Sequence, residues 1–123
     1  MGIWRRPARR WLAGVATLPL LVGGLSLITA GPADAYPCPH PSWSNKDSDS
    51  GHVKTDSTSL RDGAGASCNQ VALVHTNALL YYHCFAVNPY SGNTWTHLRI
   101  AGTSVDGWIS DDNLDDHGST KPC

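Results

Sequence analysis

The 123-residue chain contains no glutamate, and this absence excludes two familiar metal-binding motifs. A His-Glu-x-x-His protease helix needs its glutamate as the general base, and an EF-hand calcium loop needs one at its twelfth position. The sequence also lacks Cys-x-x-Cys, His-x-x-x-His and Gly-x-Ser-x-Gly. Closely spaced zinc ligands and a nucleophilic serine turn are therefore not predicted. We expect no metal, no cofactor and no catalytic residue.

Residues 1–35 have the pattern of a secretory signal peptide. Four arginines precede a long apolar run, and Ala33-Asp34-Ala35 is a small-x-small cleavage site. The rival interpretation is an uncleaved membrane anchor, because the run is long enough to span a bilayer. The cleavage site and the lack of a charged flank favour cleavage. We therefore expect a secreted product that begins at Tyr36 and has no membrane segment.

The remaining residues 36–123 carry little charge. They contain five lysines and arginines and nine aspartates, a formal net charge of −4 with the histidines neutral. A mildly acidic protein has no electrostatic attraction for nucleic acid, so nucleic-acid binding is not predicted. A chain of this length forms one small domain with a marginal core, and we expect a monomer.

All four cysteines lie after the predicted cleavage site, at Cys38, Cys68, Cys84 and Cys123. An even number of cysteines in a short exported chain predicts two disulfides and an oxidising, extracellular location. Three pairings are possible. We expect Cys68–Cys84 and Cys38–Cys123, because the first pair falls on strands predicted to be neighbours and the second flanks the domain.

Residues 94–110 predict a β-hairpin, since two runs alternate polar and apolar residues around a Gly-containing turn. One face carries four aliphatic side chains that should enter a core: Leu98, Ile100, Val105 and Ile109. Trp95 and Trp108 fall on the opposite face and are predicted to be exposed. If Leu98 pairs with Val105, Trp95 lies opposite Trp108; if Ile100 pairs with Val105, Trp108 lies opposite His97.

Short strands with regularly spaced turns predict a small all-β barrel or sandwich. In addition, four segments of the chain resemble the bacterial SH3 domain (SH3b) family of exported and cell-wall proteins. They are Leu60-Arg61-Asp62-Gly63-Ala64, Trp95-Thr96-His97-Leu98, Gly107-Trp108-Ile109 and Asp112-Asn113-Leu114. Ala64 stands where the family usually has proline. The resemblance implies an all-β, five-stranded SH3-like barrel over residues 52–115, stapled by disulfides. Residues 36–51 are then an N-terminal arm and residues 116–123 a tail.

The resemblance also implies a non-enzymatic binding role towards cell-wall peptide or glycan, or towards a peptide of another exported protein. The candidate ligand-binding residues are Trp95, Trp108, Tyr90 and His97. An aromatic strip of this kind stacks sugar rings or grips an extended peptide. The alternatives are an inhibitor or antagonist that acts through the loop at residues 88–93, and a small secreted hydrolase, for which the sequence offers no catalytic constellation.

Two further groups of polar residues are interpreted as structural. His83 and His97 lie on predicted strands where they can meet, but we interpret them as exposed strand histidines rather than a metal site. Four aspartates lie close together near the end of the chain, and we interpret them as a solvated acidic patch: Asp111, Asp112, Asp115 and Asp116.

Overall fold

The computed structural model describes residues Tyr36–Cys123, and the predicted signal peptide lies outside them. These residues form one antiparallel sheet and almost no helix, which confirms the all-β prediction. The strands are β1 (Ser50–Gly51), β2 (Ser57–Arg61), β3 (Gln70–His75), β4 (Leu80–Val87), β5 (Thr94–Ile100) and β6 (Asp106–Ser110), followed by a 3-10 helix at Asp111–Asn113. Within this part of the chain, no helix is long and apolar enough to cross a membrane.

The strands lie in the order β1-β4-β5-β6-β2-β3. The outermost strands β1 and β3 do not pair with each other, so the sheet is not closed and the five-stranded barrel is not confirmed. β4 and β5 share the longest pairing, from Leu80 opposite Ile100 to Val87 opposite Thr94. A register shift between Tyr82 and Cys84 interrupts it, and this bulge carries His83.

Of the two predicted registers, the hairpin of β5 and β6 has the one in which Ile100 pairs with Val105. The backbone N–H of Ile100 donates to the carbonyl oxygen of Val105, and His97 lies opposite Trp108. Trp95, His97 and Trp108 therefore share one face of the sheet, which we call the arm face. Leu98 and Ile109 point to the opposite face.

The main core lies on that opposite face. Its members are at most 2 % exposed: Val53, Leu60, Val74, Leu80, Tyr82, Leu98, Ile109 and Leu114. Leu98 and Ile109 were predicted core residues, and Ile100 packs against the cluster while partly exposed. Val105 was predicted wrongly: it is 39 % exposed, because it lies in the turn before β6 begins.

The disulfides join Cys38 to Cys68 and Cys84 to Cys123. The predicted pairing of Cys68 with Cys84 and Cys38 with Cys123 is wrong. Cys68 precedes β3, at one end of the strand order, whereas Cys84 lies on β4 near the other end. Cys84 bonds instead to the last residue of the tail, and Cys38 fastens the arm beside the turn that follows β2.

The arm is a layer of the fold and not a free linker. The carbonyl oxygen of Pro39 accepts a hydrogen bond from the N–H of Ala64, and the N–H of Lys46 donates to the carbonyl oxygen of His83. These bonds lay residues 39–46 across the arm face. Trp95 and Trp108, predicted to be exposed, are 8 % and 3 % exposed, and both pack in an apolar cluster with Ala64, Ala86 and Cys123.

Candidate binding site

The arm face presents its side chains in rows across the strands. One row places Trp108 of β6 opposite His97 of β5. The next row places Arg99 of β5 opposite Asp106 on one side and opposite Tyr81 of β4 on the other. Alternation along each strand projects these side chains from the same face, so the topology brings aromatic, imidazole and charged groups together.

Trp43 of the arm covers the centre of this face. Its ring stacks on His97 with centroids 3.7 Å apart and on His83 with centroids 4.9 Å apart. Trp108 meets His97 edge-on at 5.0 Å. The side of the indole that faces away from the sheet remains open, and Trp43 is 44 % exposed. Trp43 thus both closes the histidines off from water and offers an aromatic surface.

His83 and His97, which we call the imidazole pair, are joined by a hydrogen bond of 2.8 Å between their Nδ1 atoms. The bulge in β4 makes this contact possible, because it inserts His83 between the residues that pair with Leu98 and His97. The two histidines meet as the sequence suggested. The interpretation that they are exposed is wrong, since His83 is 7 % and His97 is 2 % exposed.

Burial makes the imidazole pair neutral at physiological pH. Removal from water, together with the charge that His83 can carry, lowers the pKa of His97 to about 3. Burial also lowers the pKa of His83, where the carboxylate of Asp106 acts against the shift and Arg99 adds to it. Two rings without charge can share one hydrogen bond, whereas two charged rings would repel each other.

A cleft of about 350 Å³ opens between the arm and the sheet. We call it the arm cleft, and its lining comprises His40, Pro41, Trp43, Asp62, Val71, His97, Asp106, Gly107 and Trp108. The walls are aromatic and aliphatic, and both charged groups in the lining are carboxylates. A partly apolar cleft with a few polar groups is the usual form of a small-ligand site.

A second cavity of about 270 Å³ is bordered by His83, the other member of the imidazole pair. It is lined by Asn45, Asp47, Ser48, Asp49, Tyr81, Tyr82, His83 and Arg99. The guanidinium of Arg99 lies 5.2 Å from the centroid of the Tyr81 ring, in cation–π geometry. Arg99 is the only cationic side chain in the two linings.

A metal site is not supported in this region. Among the described residues, the one group of three or more potential ligand side chains that lie close together comprises Cys38, His40 and Asp62. Cys38 is bonded to Cys68, so it has no thiolate to offer. The Nδ1 atom of His40 is instead 3.2 Å from the carbonyl oxygen of Asp62, a hydrogen bond that holds the arm to the sheet.

The acidic residues near the end of the chain divide into buried and exposed ones. Asp111 is 7 % exposed and accepts a hydrogen bond of 2.5 Å from Thr96, while burial raises the pKa of its carboxyl group. The interpretation as a solvated patch is therefore wrong for Asp111. Asp116 is exposed but accepts a bond of 2.6 Å from the hydroxyl of Tyr82, and burial raises the pKa of that hydroxyl.

The four predicted ligand residues do not form one continuous strip. His97 and Trp108 both line the arm cleft. Trp108 also packs with Trp95 in a second apolar cluster that includes Ala64, Ala86 and Cys123, and Trp95 does not line the cleft. Tyr90 stacks on Tyr36 with ring centroids 5.4 Å apart, in a loop closed by the N–H of Asn88 donating to Asn93.

Sequence reasoning did not identify Trp43, His40, Asp62 or Asp106 as candidate binding residues. One signal did exist: Trp43 is the only tryptophan of an otherwise polar, proline-rich arm. An aromatic residue in such a segment indicates a point of contact with the domain. In three comparisons, no family model, no curated protein and no solved structure matches this chain.

Proposed function

We propose that this protein is a secreted, non-enzymatic binding module of SH3b type that binds cell-wall peptide or glycan in the arm cleft. The observation that carries the proposal is the arm cleft itself: about 350 Å³ of space whose lining includes both Trp43 and Trp108. Aromatic surfaces of this kind bind sugar rings and peptide segments without needing charge. The lining includes no serine, threonine, cysteine or lysine, and we assign its carboxylates, Asp62 and Asp106, to binding.

The positions of the four resembling segments support the SH3b part of the proposal. The Leu60-Arg61 step ends β2, Trp95 is the second residue of β5, and Gly107-Trp108 lies in β6 next to β2. The fourth segment, Asp112-Asn113-Leu114, lies at the end of the 3-10 helix that follows β6. A Cβ added at Gly107 would lie 2.6 Å from the carbonyl oxygen of Arg61, so the two strands approach closely only with glycine there. We propose that β2 to β6 are the five strands of the barrel type and that β1 is an addition from the arm.

Two disulfides support the extracellular part of the proposal, because such bonds persist in oxidising compartments. Secretion also agrees with the predicted signal peptide, and a cell-wall ligand would be within reach of an exported protein. N-terminal sequencing of the protein from culture medium is expected to begin at Tyr36.

The proposal is tested with purified cell-wall sacculi and a pair of matched aromatic variants. We expect Trp43→Ala to reduce sacculus binding at least tenfold, because it removes the exposed wall of the arm cleft. Tyr90→Ala is the control: Tyr90 is 48 % exposed and stacks on another aromatic ring, but it does not line the cleft. Equal binding by both variants and the unmodified protein would refute the arm cleft as the site, and no binding by any of them would refute the wall ligand.

A further inference from the structure

The arm cleft contains a charge arrangement that a neutral sugar does not need. Asp62 and Asp106 both line it, and the lining includes no lysine or arginine. One oxygen of Asp62 accepts a hydrogen bond from the N–H of Asn69, and no hydrogen bond to a described residue is recorded for the carboxylate of Asp106. At least part of this negative charge therefore faces the cleft without an opposite charge inside it.

Buried polar atoms in the same walls have no recorded partner either. The ring of His97 is 98 % buried and uses Nδ1 for the bond to His83, but its Nε2 has no hydrogen bond to a described residue. The indole N–H of Trp108, a residue that is 3 % exposed, likewise has no acceptor among the described residues. Buried polar groups are normally satisfied, so a bound molecule or water completes these atoms; the indole N–H needs an acceptor such as the carbonyl oxygen of a peptide, since an ammonium group only donates.

The walls favour an organic cation over a metal ion. Calcium and magnesium need six or more oxygen ligands, whereas this lining supplies two carboxylates and four apolar or aromatic side chains. A primary ammonium group on an alkyl chain satisfies both features, since it donates to carboxylates and is attracted to the faces of tryptophan rings.

We infer that the arm cleft binds a primary ammonium group carried by a peptide, with Asp106 and Asp62 as its charged partners and Trp43 as its aromatic wall. This inference rests on the proposed function and names its ligand chemistry: the free amine of a wall peptide and not the neutral glycan. Asp106 lies opposite Arg99 on the neighbouring strand, yet no ion pair within 4.0 Å joins them, so its carboxylate is available to the ligand.

The first experiment compares sacculi before and after amine-selective acetylation. We expect acetylation to weaken binding at least tenfold, and added salt to weaken binding to untreated sacculi several-fold, because the attraction is between opposite charges. Equal binding to both preparations would overturn the ammonium inference and leave the proposed wall ligand standing.

The second experiment uses a soluble probe, acetyl-Ala-Lys-Ala-amide, and the same peptide with its lysine Nε acetylated, followed by NMR shifts of the indole N–H signals. We expect saturable shifts at Trp43 and Trp108 with the free amine only.

Asp106→Asn should weaken this binding about tenfold, whereas Asp56→Asn, at an exposed aspartate outside the cleft, should leave it unchanged. Binding of the peptide without sacculus binding would support the amine and refute the wall ligand. Equal shifts with both peptides would overturn the inference.

Discussion

At the scale of single residues, the burial of His97 connects the stability of the fold to pH. Its pKa is about 3 in the folded chain, whereas an unperturbed histidine has a pKa near 6.5. Between these values the unfolded chain binds a proton that the folded chain does not, so the free energy of unfolding falls as the pH falls through this window. Above pH 6.5 the ring is neutral in both the folded and the unfolded chain, so its titration no longer lowers the free energy of unfolding.

We expect the protonation of His97 in the unfolded chain to lower the free energy of unfolding by about 3 kcal/mol between pH 6.5 and pH 4, since one proton is worth about 1.4 kcal/mol per pH unit. His97→Phe removes this titration and should flatten the slope of unfolding free energy against pH, measured by urea denaturation. His75→Gln, at an exposed position of β3, is the control and should keep the original slope. A His97→Phe slope equal to that of the unmodified protein would contradict the assignment.

At the scale of elements, each disulfide fastens one end of the described chain to the sheet. Cys38–Cys68 closes a segment of 30 residues and holds the arm, whereas Cys84–Cys123 closes one of 39 residues and holds the tail on β4. In the chain-entropy account, loops of these lengths contribute about 3–4 kcal/mol each. The two bonds therefore stabilise the fold to similar extents, but only the first borders the arm cleft.

Paired cysteine variants separate these roles. Replacing Cys38 and Cys68 together by serine should lower the melting temperature and weaken sacculus binding, because the arm loses its covalent tether beside the cleft. Replacing Cys84 and Cys123 together should lower the melting temperature by a similar amount and retain binding. Peptide mapping without reductant should recover the 38–68 and 84–123 links, and a peptide joining Cys68 to Cys84 would contradict the structure.

The strands of the sheet could be predicted from the sequence better than the arm could. Leu98 and Ile109 entered the core and Trp108 lies opposite His97, because side-chain alternation is a local property of each strand. The cysteine pairing and the burial of Trp95 depend instead on the path of the arm and tail over the sheet. That path is set by contacts between distant residues, such as Ser119 with Asp47, which no local pattern encodes. The cleft was missed for the same reason.

At the scale of the whole molecule, the two faces of the sheet have different surroundings. One face packs against the main core, and the other face carries the imidazole pair, the arm and the arm cleft. Leu98 is fully buried in the core, whereas the adjacent position His97 points to the arm face. Substitutions on the core face should therefore mainly lower the free energy of unfolding, whereas substitutions on the arm face should mainly weaken the proposed binding.

Leu98→Ala is expected to lower the free energy of unfolding by 2–5 kcal/mol, about the usual cost of removing a buried leucine side chain. Under conditions in which it stays folded, it should retain binding to sacculi. Trp43→Ala should have the opposite profile, with a smaller loss of stability and greatly weakened binding. Urea denaturation and sacculus binding of both variants give the comparison, and a larger stability loss for Trp43→Ala would show that the arm is part of the main folding unit.

The hydrogen bond between the two Nδ1 atoms of the imidazole pair also fixes the tautomers of its rings. Since both rings are neutral, only one Nδ1 carries the hydrogen that lies between them. That ring has a bare Nε2, and its partner must carry a hydrogen on Nε2. His97 lines the arm cleft and His83 lines the second cavity, so a molecule that selects one tautomer of His97 also selects the opposite tautomer of His83. The two cavities are thereby linked through coupled proton positions: when the shared hydrogen moves to the other Nδ1, one Nε2 must gain a hydrogen and the other must lose one, without any movement of the backbone.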